Sequence, residues 1–239
     1  MTEPNTPRSL SPAAASRQRR LAAREAARSP YGNEQTGDAY QLHLAALTEA
    51  RQRLKDIQGI ERKIEFKKNV LPEFMPYLQG VLESGQGAQD QVVATLMVWC
   101  LDIGDIETGI ALARYMLEHN MASGDQYSRS TAALLVEETT DPLLRNGLTL
   151  RWKNGEIINM ADANASHLAQ LHTIEALTRE HDMHDQIRAK LFKAIGCYLA
   201  LSKQYAQAIT AFERAVKLDI NVGVKKHIER LTPLVQAST

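Results

Sequence analysis

Residues 192–215 read Phe192-Lys-Ala-Ile195-Gly196-Cys-Tyr-Leu199-Ala-Leu-Ser-Lys-Gln-Tyr205-Ala-Gln-Ala208-Ile-Thr-Ala-Phe212-Glu-Arg-Ala215. This stretch matches the small/large spacing of a tetratricopeptide helix pair, with Tyr205 in the connecting region. Small Gly196 and Ala208 let two helix backbones approach, and Phe212 fills the space between them. The unit occurs once, so the chain is not a repeat array, although Ile106 to Met116 imitates its second helix more weakly.

Upstream, the spacing of apolar residues is helical almost throughout. Helical periodicity reaches back to about Ser166. Before it, residues 121 to 164 are the least periodic. They hold a helical piece near Ser130 to Thr140, a second opening at Asp141-Pro142, and an Asn154-Gly155 turn. Phe74, Leu78, Val81 and Leu82 make one helical face, ended by Gly85-Gln-Gly87. Val92, Val93, Leu96, Met97 and Cys100 make a second, stopped at Gly104, and Ile106, Ile110, Ala113 and Leu117 a third. Short breaks between helices imply antiparallel neighbours. Asp38 is expected to cap a long polar helix running to about Asn69. Its seam of Tyr40, Leu44, Leu47, Leu54, Ile57 and Ile64 suits a helix hairpin or a short coiled coil. The predicted fold is all-α, built of antiparallel helical hairpins with a C-terminal tetratricopeptide-like pair and no strand.

The chain has 239 residues and balances 28 Lys+Arg against 28 Asp+Glu. That neutrality excludes a uniformly basic nucleic-acid coat, but position matters more than the total. Residues 1–70 hold 13 basic and 8 acidic side chains, and residues 71–239 hold 15 and 20. A basic end therefore precedes an acidic body. Pro4, Pro7, Pro12, Pro30, Gly32 and Gly37, with few large apolar residues, predict a flexible, disordered basic arm over 1–37. Within it, Arg17 to Arg28 is rich in Ala and Arg and reads as a nascent helix. The expected organisation is the arm (1–37), a long basic helix for DNA binding or oligomerisation (38–70), a helical core (71–164) and the tetratricopeptide-like region (165–239).

Two cysteines, Cys100 and Cys197, far apart in apolar surroundings, make neither a disulfide scaffold nor a zinc module, and suit a reducing cytoplasm. The longest apolar stretch, Val92 to Leu101, is about half the roughly 20 residues that a membrane span requires, so no membrane partner is expected. His181 and His184, even joined by His167 and His172, lack further ligands and read as ordinary loop and helix residues, so no metal site is expected. Gly85-Gln-Gly87-Ala88 lacks the Lys-Ser/Thr ending of a phosphate-cradling loop, and no intrinsic cofactor is expected.

Metal-dependent cleavage of DNA needs carboxylates converging on Mg²⁺. Asp102, Asp105 and Glu107 gather around a turn, and Glu137, Glu138 and Asp141 stand ahead of Pro142. Both sets sit where helices end and begin, where capping and the helix dipole favour acids without any catalytic role. Mg²⁺ enters only if the chain itself cuts. The basic residues point to phosphate more directly: Arg17, Arg19, Arg20, Arg24 and Arg28 in the arm, then Arg51, Arg53, Lys55, Arg62, Lys63, Lys67 and Lys68. Glu49, Asp56, Glu61 and Glu65 answer part of this second group by i,i+4 pairing.

Two ordered stretches carry a resemblance. One is Leu71-Pro-x-Phe-x-Pro-x-x-x-Gly80-Val-Leu-Glu-x-Gly85-x-Gly87-Ala-Gln-Asp90, with Trp99-x-Leu-Asp-x-Gly-Asp-Ile106 and Ala113-Arg-Tyr115. The other is Asp182-Met-x-Asp185-x-x-Arg188-Ala-Lys-Leu191-x-Lys193, continuing through Leu218-Asp219 and Gly223-Val-Lys-Lys-x-Ile228-Glu-Arg-Leu231. Together they resemble the small terminase subunit family of tailed temperate bacteriophages, from about Asp38 to Leu231. The resemblance implies a packaging protein of the bacterial host cytoplasm. Such a protein binds the cohesive-end site of concatemeric viral double-stranded DNA, assembles as a homo-oligomer and recruits the large ATPase subunit. It also implies a holoenzyme that makes the endonucleolytic cut, this branch being commonly labelled the terminase endonuclease subunit. The competing expectations are a helical protein-interaction adaptor that does not bind DNA, and an autonomous Mg²⁺-dependent endonuclease.

Overall fold

The structure is a computed structural model that describes residues 10–124, 129–153, 156–158 and 165–236. Among these residues there are ten helices and one two-stranded hairpin. The fold is all-α, as the periodicity predicts. The chain divides between Thr131 and Ala132 into two compact units, inside the stretch read from sequence as a single core.

The first unit opens with α1 (Pro12–Ala26). Ser11 caps it, accepting the Ala14 N–H at 3.3 Å, and Pro12 stands at the first helical position, where its missing donor costs nothing. Composition predicts a disordered arm here. The structure corrects that expectation for the described part: α1 lies along α3 (Ile60–Ser84) with Ala22 and Ala26 buried. Burying alanines costs almost no side-chain entropy, so a face without large apolar residues can still dock. Gly80 of α3 makes this possible. A Cβ at Gly80 would run into Arg19 O and stand 2.8 Å from both Ala22 Cβ and Ala23 N. The following loop is also fastened: Gly32 N–H donates to Gly87 O at 3.1 Å and Gln35 N–H to Gln89 O at 2.8 Å. In return Gln89 N–H donates to Asn33 O at 2.6 Å.

The single helix expected from Asp38 to Asn69 is two helices, α2 (Asp38–Asp56) and α3, separated at Ile57-Gln58-Gly59. The helix expected to end at about Asn69 and the face expected from Phe74 are one helix, because α3 runs through both Pro72 and Pro76. Each internal proline removes one helical hydrogen bond and costs on the order of 3 kcal/mol when unsupported. Here the same part of α3 buries Leu71, Phe74, Tyr77, Leu78 and Val81, and tertiary packing outweighs local propensity. Beside it, α4 (Gln91–Asp102) is buried nearly all round, and α5 (Ile106–Glu118) covers it with Ile110, Leu112, Ala113 and Met116.

In the second unit, α6 (Thr131–Arg145) is one helix through Pro142 rather than two pieces. An unforeseen antiparallel hairpin follows, β1 (Arg151–Lys153) and β2 (Glu156–Ile158), with Trp152 opposite Ile157. The predicted Asn154-Gly155 turn lies outside the described residues. Then come α7 (Ala165–Thr178), α8 (Asp185–Leu201), α9 (Tyr205–Leu218) and α10 (Lys225–Gln236). The α8–α9 pair has the expected packing: a Cβ on Gly196 would stand 2.5 Å from the ring of Phe212, which is fully buried. Asp185 is the first residue of α8, and His184 stands at the cap position.

Candidate nucleic-acid interface

On α1, Arg17, Arg20 and Arg24 follow one another at helical spacings of three and four, and Arg28 continues the line just past the helix end. All four are exposed and make no ion pair among the described residues. At 1.5 Å rise per residue the stripe extends roughly 16 Å. The opposite face carries Ala22 and Ala26 and is committed to α3, so docking directs the arginines to solvent. Arg19 lies off this line and bridges Glu83 of α3 at 2.5 Å, both side chains about half exposed.

The position of α1 is tied to α2 as well. Both oxygens of Glu25 accept the Ala39 N–H, at 3.0 and 3.3 Å. The residue before α2 is Gly37, which has no side chain with which to cap it, and Glu25 substitutes from the neighbouring helix.

Around the α2–α3 elbow, Arg51, Arg53, Lys55, Arg62 and Lys68 are exposed and Lys63 is half-buried. The Arg53 guanidinium lies 4.9 Å from the ring centre of Phe66, a cation–π contact that joins the two arms of the elbow. Lys67 departs from the others. Its ammonium pairs with Asp102 at the end of α4 and approaches the Trp99 ring at 5.8 Å, so it is engaged inside the unit.

The carboxylate candidates separate in the same way. Asp102 is taken by Lys67, Asp105 caps α5 by accepting Thr108 N–H at 3.2 Å, and Glu107 is exposed in the first turn of α5. In the second unit Asp141 pairs with Lys190 at 2.8 Å, and Glu137 and Glu138 are half-buried on α6 and have partners. No group of three or more His, Cys, Asp or Glu side chains among the described residues could hold a metal ion. The histidines have local roles: His167 meets Tyr198 OH at 3.0 Å, and Arg188 donates to the carbonyls of Thr178 and His181.

Sequence reasoning missed Asp90. It is buried, caps α4 by accepting Val92 N–H at 2.8 Å and Val93 N–H at 3.0 Å, and accepts the Tyr77 hydroxyl at 2.5 Å. Burial pushes its carboxyl up to about 6, against the opposing pull of those three donors. His43 stacks on Tyr77 at 4.5 Å and donates Nδ1–H to Ala39 O at 2.7 Å, and burial holds it below its ordinary range. An acid standing just before an apolar run is the sequence signal that could have found this cap.

These elements can be set beside known proteins. The sequence model of the phage small terminase subunit family matches residues 44–186, more than half the chain. The chain belongs to that family. A relative, the terminase endonuclease subunit of Escherichia phage P2, is 34% identical over 192 residues, covering 80% of this chain and 72% of the relative. No solved structure matches. As a small terminase subunit, the chain has its place in phage genome packaging. In the first of the two stretches that carry the resemblance, Gly80 seats α1 and Asp90 caps α4. The arginine stripe of α1 lies before the matched residues. Among the described residues, no helix is long and apolar enough to cross a membrane.

Proposed function

We propose that this small terminase subunit binds the cohesive-end site of concatemeric viral double-stranded DNA in the host cytoplasm. It assembles as a homo-oligomer and recruits and regulates the large ATPase subunit, and the holoenzyme makes the cut. The observation that carries the reading is the exposed arginine stripe on docked α1. A row of fixed cations spaced by one helical turn neutralises backbone phosphates and releases counterions, which is the sequence-independent part of DNA affinity. Pre-docking of α1 spares the cost of ordering it on contact. Arg51, Arg53, Lys55, Arg62, Lys63 and Lys68 at the elbow add further phosphate contacts. Lys67, engaged by Asp102, is outside the proposed set. Copies in an oligomer multiply modest contacts into a usable affinity.

The test is a mobility shift of end-site DNA by purified full-length chain at two salt concentrations. Binding that weakens steeply with salt supports the reading, and the absence of any shift supports a protein-interaction adaptor instead. The name of the phage P2 relative, a terminase endonuclease subunit, favours a second reading, an endonuclease within the chain itself. That reading expects Mg²⁺-dependent nicking by the isolated protein that disappears in Asp105→Ala or Glu138→Ala.

A further inference from the structure

In the second unit, side chains just before and on β1 meet residues of α10, and a lysine of α8 reaches the turn before α10. Thr149 Oγ1 lies 3.4 Å from His227 Nε2, and the Arg230 guanidinium lies 5.7 Å from the ring centre of Trp152. Lys193 of α8 donates one of its three protons to Val222 O at 2.9 Å, in the turn that leads into α10. Three basic side chains are therefore gathered from two helices. Burial, and then the charges of Lys193 and Arg230, hold His227 below its ordinary range, and no carboxylate among the described residues offsets them. Of the acids on adjoining segments, Asp219 is engaged with Asn221 N–H at 2.9 Å, and Glu229 lines a separate groove on α9 and α10 with Lys225. Neither Lys193 nor Arg230 makes an ion pair among the described residues.

A second, independent observation stands in the same cluster. The indole Nε1–H of Trp152 is shut off from solvent and has no acceptor among the described residues. A buried donor left unmade costs about 1–3 kcal/mol, and native structures rarely carry one without a reason. Uncompensated cations beside an unsatisfied donor lack one component, an acceptor that is negatively charged. A guanidinium lying over an aromatic ring also keeps its in-plane N–H edges available for such an acceptor.

We propose that Lys193, His227 and Arg230, together with the indole N–H of Trp152, form a binding site for a phosphate-class oxyanion, separate from the α1 stripe. Lys226, exposed in the first turn of α10, adds to the positive potential at its approach. The phosphate source that packaging supplies is the DNA backbone, and that identification, unlike the site itself, rests on the proposed function.

The chain has two tryptophans, so the indole region of a ¹⁵N-tryptophan NMR spectrum reports Trp152 against Trp99 as an internal control. Full-length protein is titrated with inorganic phosphate, with chloride at matched ionic strength, and with a short DNA duplex. The expected result is movement of the Trp152 Nε1–H resonance with phosphate and not with chloride, while Trp99 stays in place. Arg230→Gln, at an exposed position, should weaken that response about tenfold at unchanged melting temperature. Movement with the duplex as well supports the site and names the DNA backbone as its source; movement with phosphate alone supports it with free phosphate as the source. A Trp152 resonance that neither ligand moves beyond the chloride control, or an Arg230→Gln response equal to wild type, overturns the proposal. Failure of the wild-type chain to shift end-site DNA removes the DNA-binding reading and leaves this site standing.

Discussion

The carboxylate of Glu25, on α1, accepts the backbone N–H of Ala39 through both of its oxygens, so the first turn of α2 is capped by a different helix. A charged acceptor at a helix N-terminus satisfies an orphan donor and complements the dipole. Glu25→Ala should therefore destabilise the first unit by about 1 kcal/mol and loosen α1 together with α2. A lowered thermal midpoint with faster tryptic cleavage at Arg24 or Arg28 is the expected result.

Gly80 sets how close α1 can come. Gly80→Ala places a methyl group against Arg19 O and Ala22, and overpacking of this kind costs about 1–3 kcal/mol. The expected outcome is release of α1 while the second unit keeps its stability. Hydrogen exchange should rise across residues 12–26 and stay unchanged in α8 and α9.

The α8–α9 pair supports a parallel experiment. Gly196→Ala should destabilise the second unit by about 1–3 kcal/mol through collision with Phe212. Phe212→Leu in the same chain should recover part of the loss, because the smaller side chain yields space. A double-mutant cycle on melting midpoints measures this coupling, and strict additivity would contradict the packing.

The α8–α9 pair was legible because its signal is local, a glycine and a phenylalanine sixteen residues apart at recognised spacing. The docking of α1 was not, because it depends on Gly80, nearly sixty residues beyond Ala22, and composition carries no record of that encounter. The continuity of α3 past Asn69 was hidden for a related reason: Pro72 and Pro76 disfavour a helix locally, while burial of Phe74, Tyr77 and Leu78 carries α3 through them. The hairpin at Arg151–Ile158 has three residues per strand, too short for alternation to register. At the candidate interface the arginine spacing could be read directly. The diversion of Lys67 to Asp102 could not, since the two residues lie on different helices.

Lys67 and Lys68 are adjacent in sequence and opposite in environment. Lys67→Ala leaves the half-buried Asp102 without its partner and should lower stability by roughly 1–3 kcal/mol with no change in DNA binding per folded molecule. Lys68→Ala should do the reverse, weakening DNA binding at unchanged melting temperature. Titrating both variants beside wild type separates the roles.

Asp90 gives a pH dependence of defined sign. Its carboxyl is raised from 3.8 to about 6 in the folded chain, so folding takes up a proton between those values. The stability it contributes is fully present below about 4 and is lost as pH rises through about 6. The stability gap between wild type and Asp90→Asn should therefore widen as pH falls from 7 to 4, by up to roughly 3 kcal/mol. His43, held low by burial, acts in the opposite direction in both proteins and cancels in the comparison. A gap that is constant with pH would contradict the raised carboxyl.

The central claim is that the docked α1 presents its arginines to DNA phosphates. It is tested most directly by the salt dependence of end-site DNA binding for wild type and for the Arg17, Arg20, Arg24 and Arg28 to Ala variant. Each phosphate contact contributes about −0.9 to the slope of log affinity against log salt. The account predicts a slope shallower by about 3 to 4 in the variant, with an unchanged melting temperature. An unchanged affinity and an unchanged slope would contradict it.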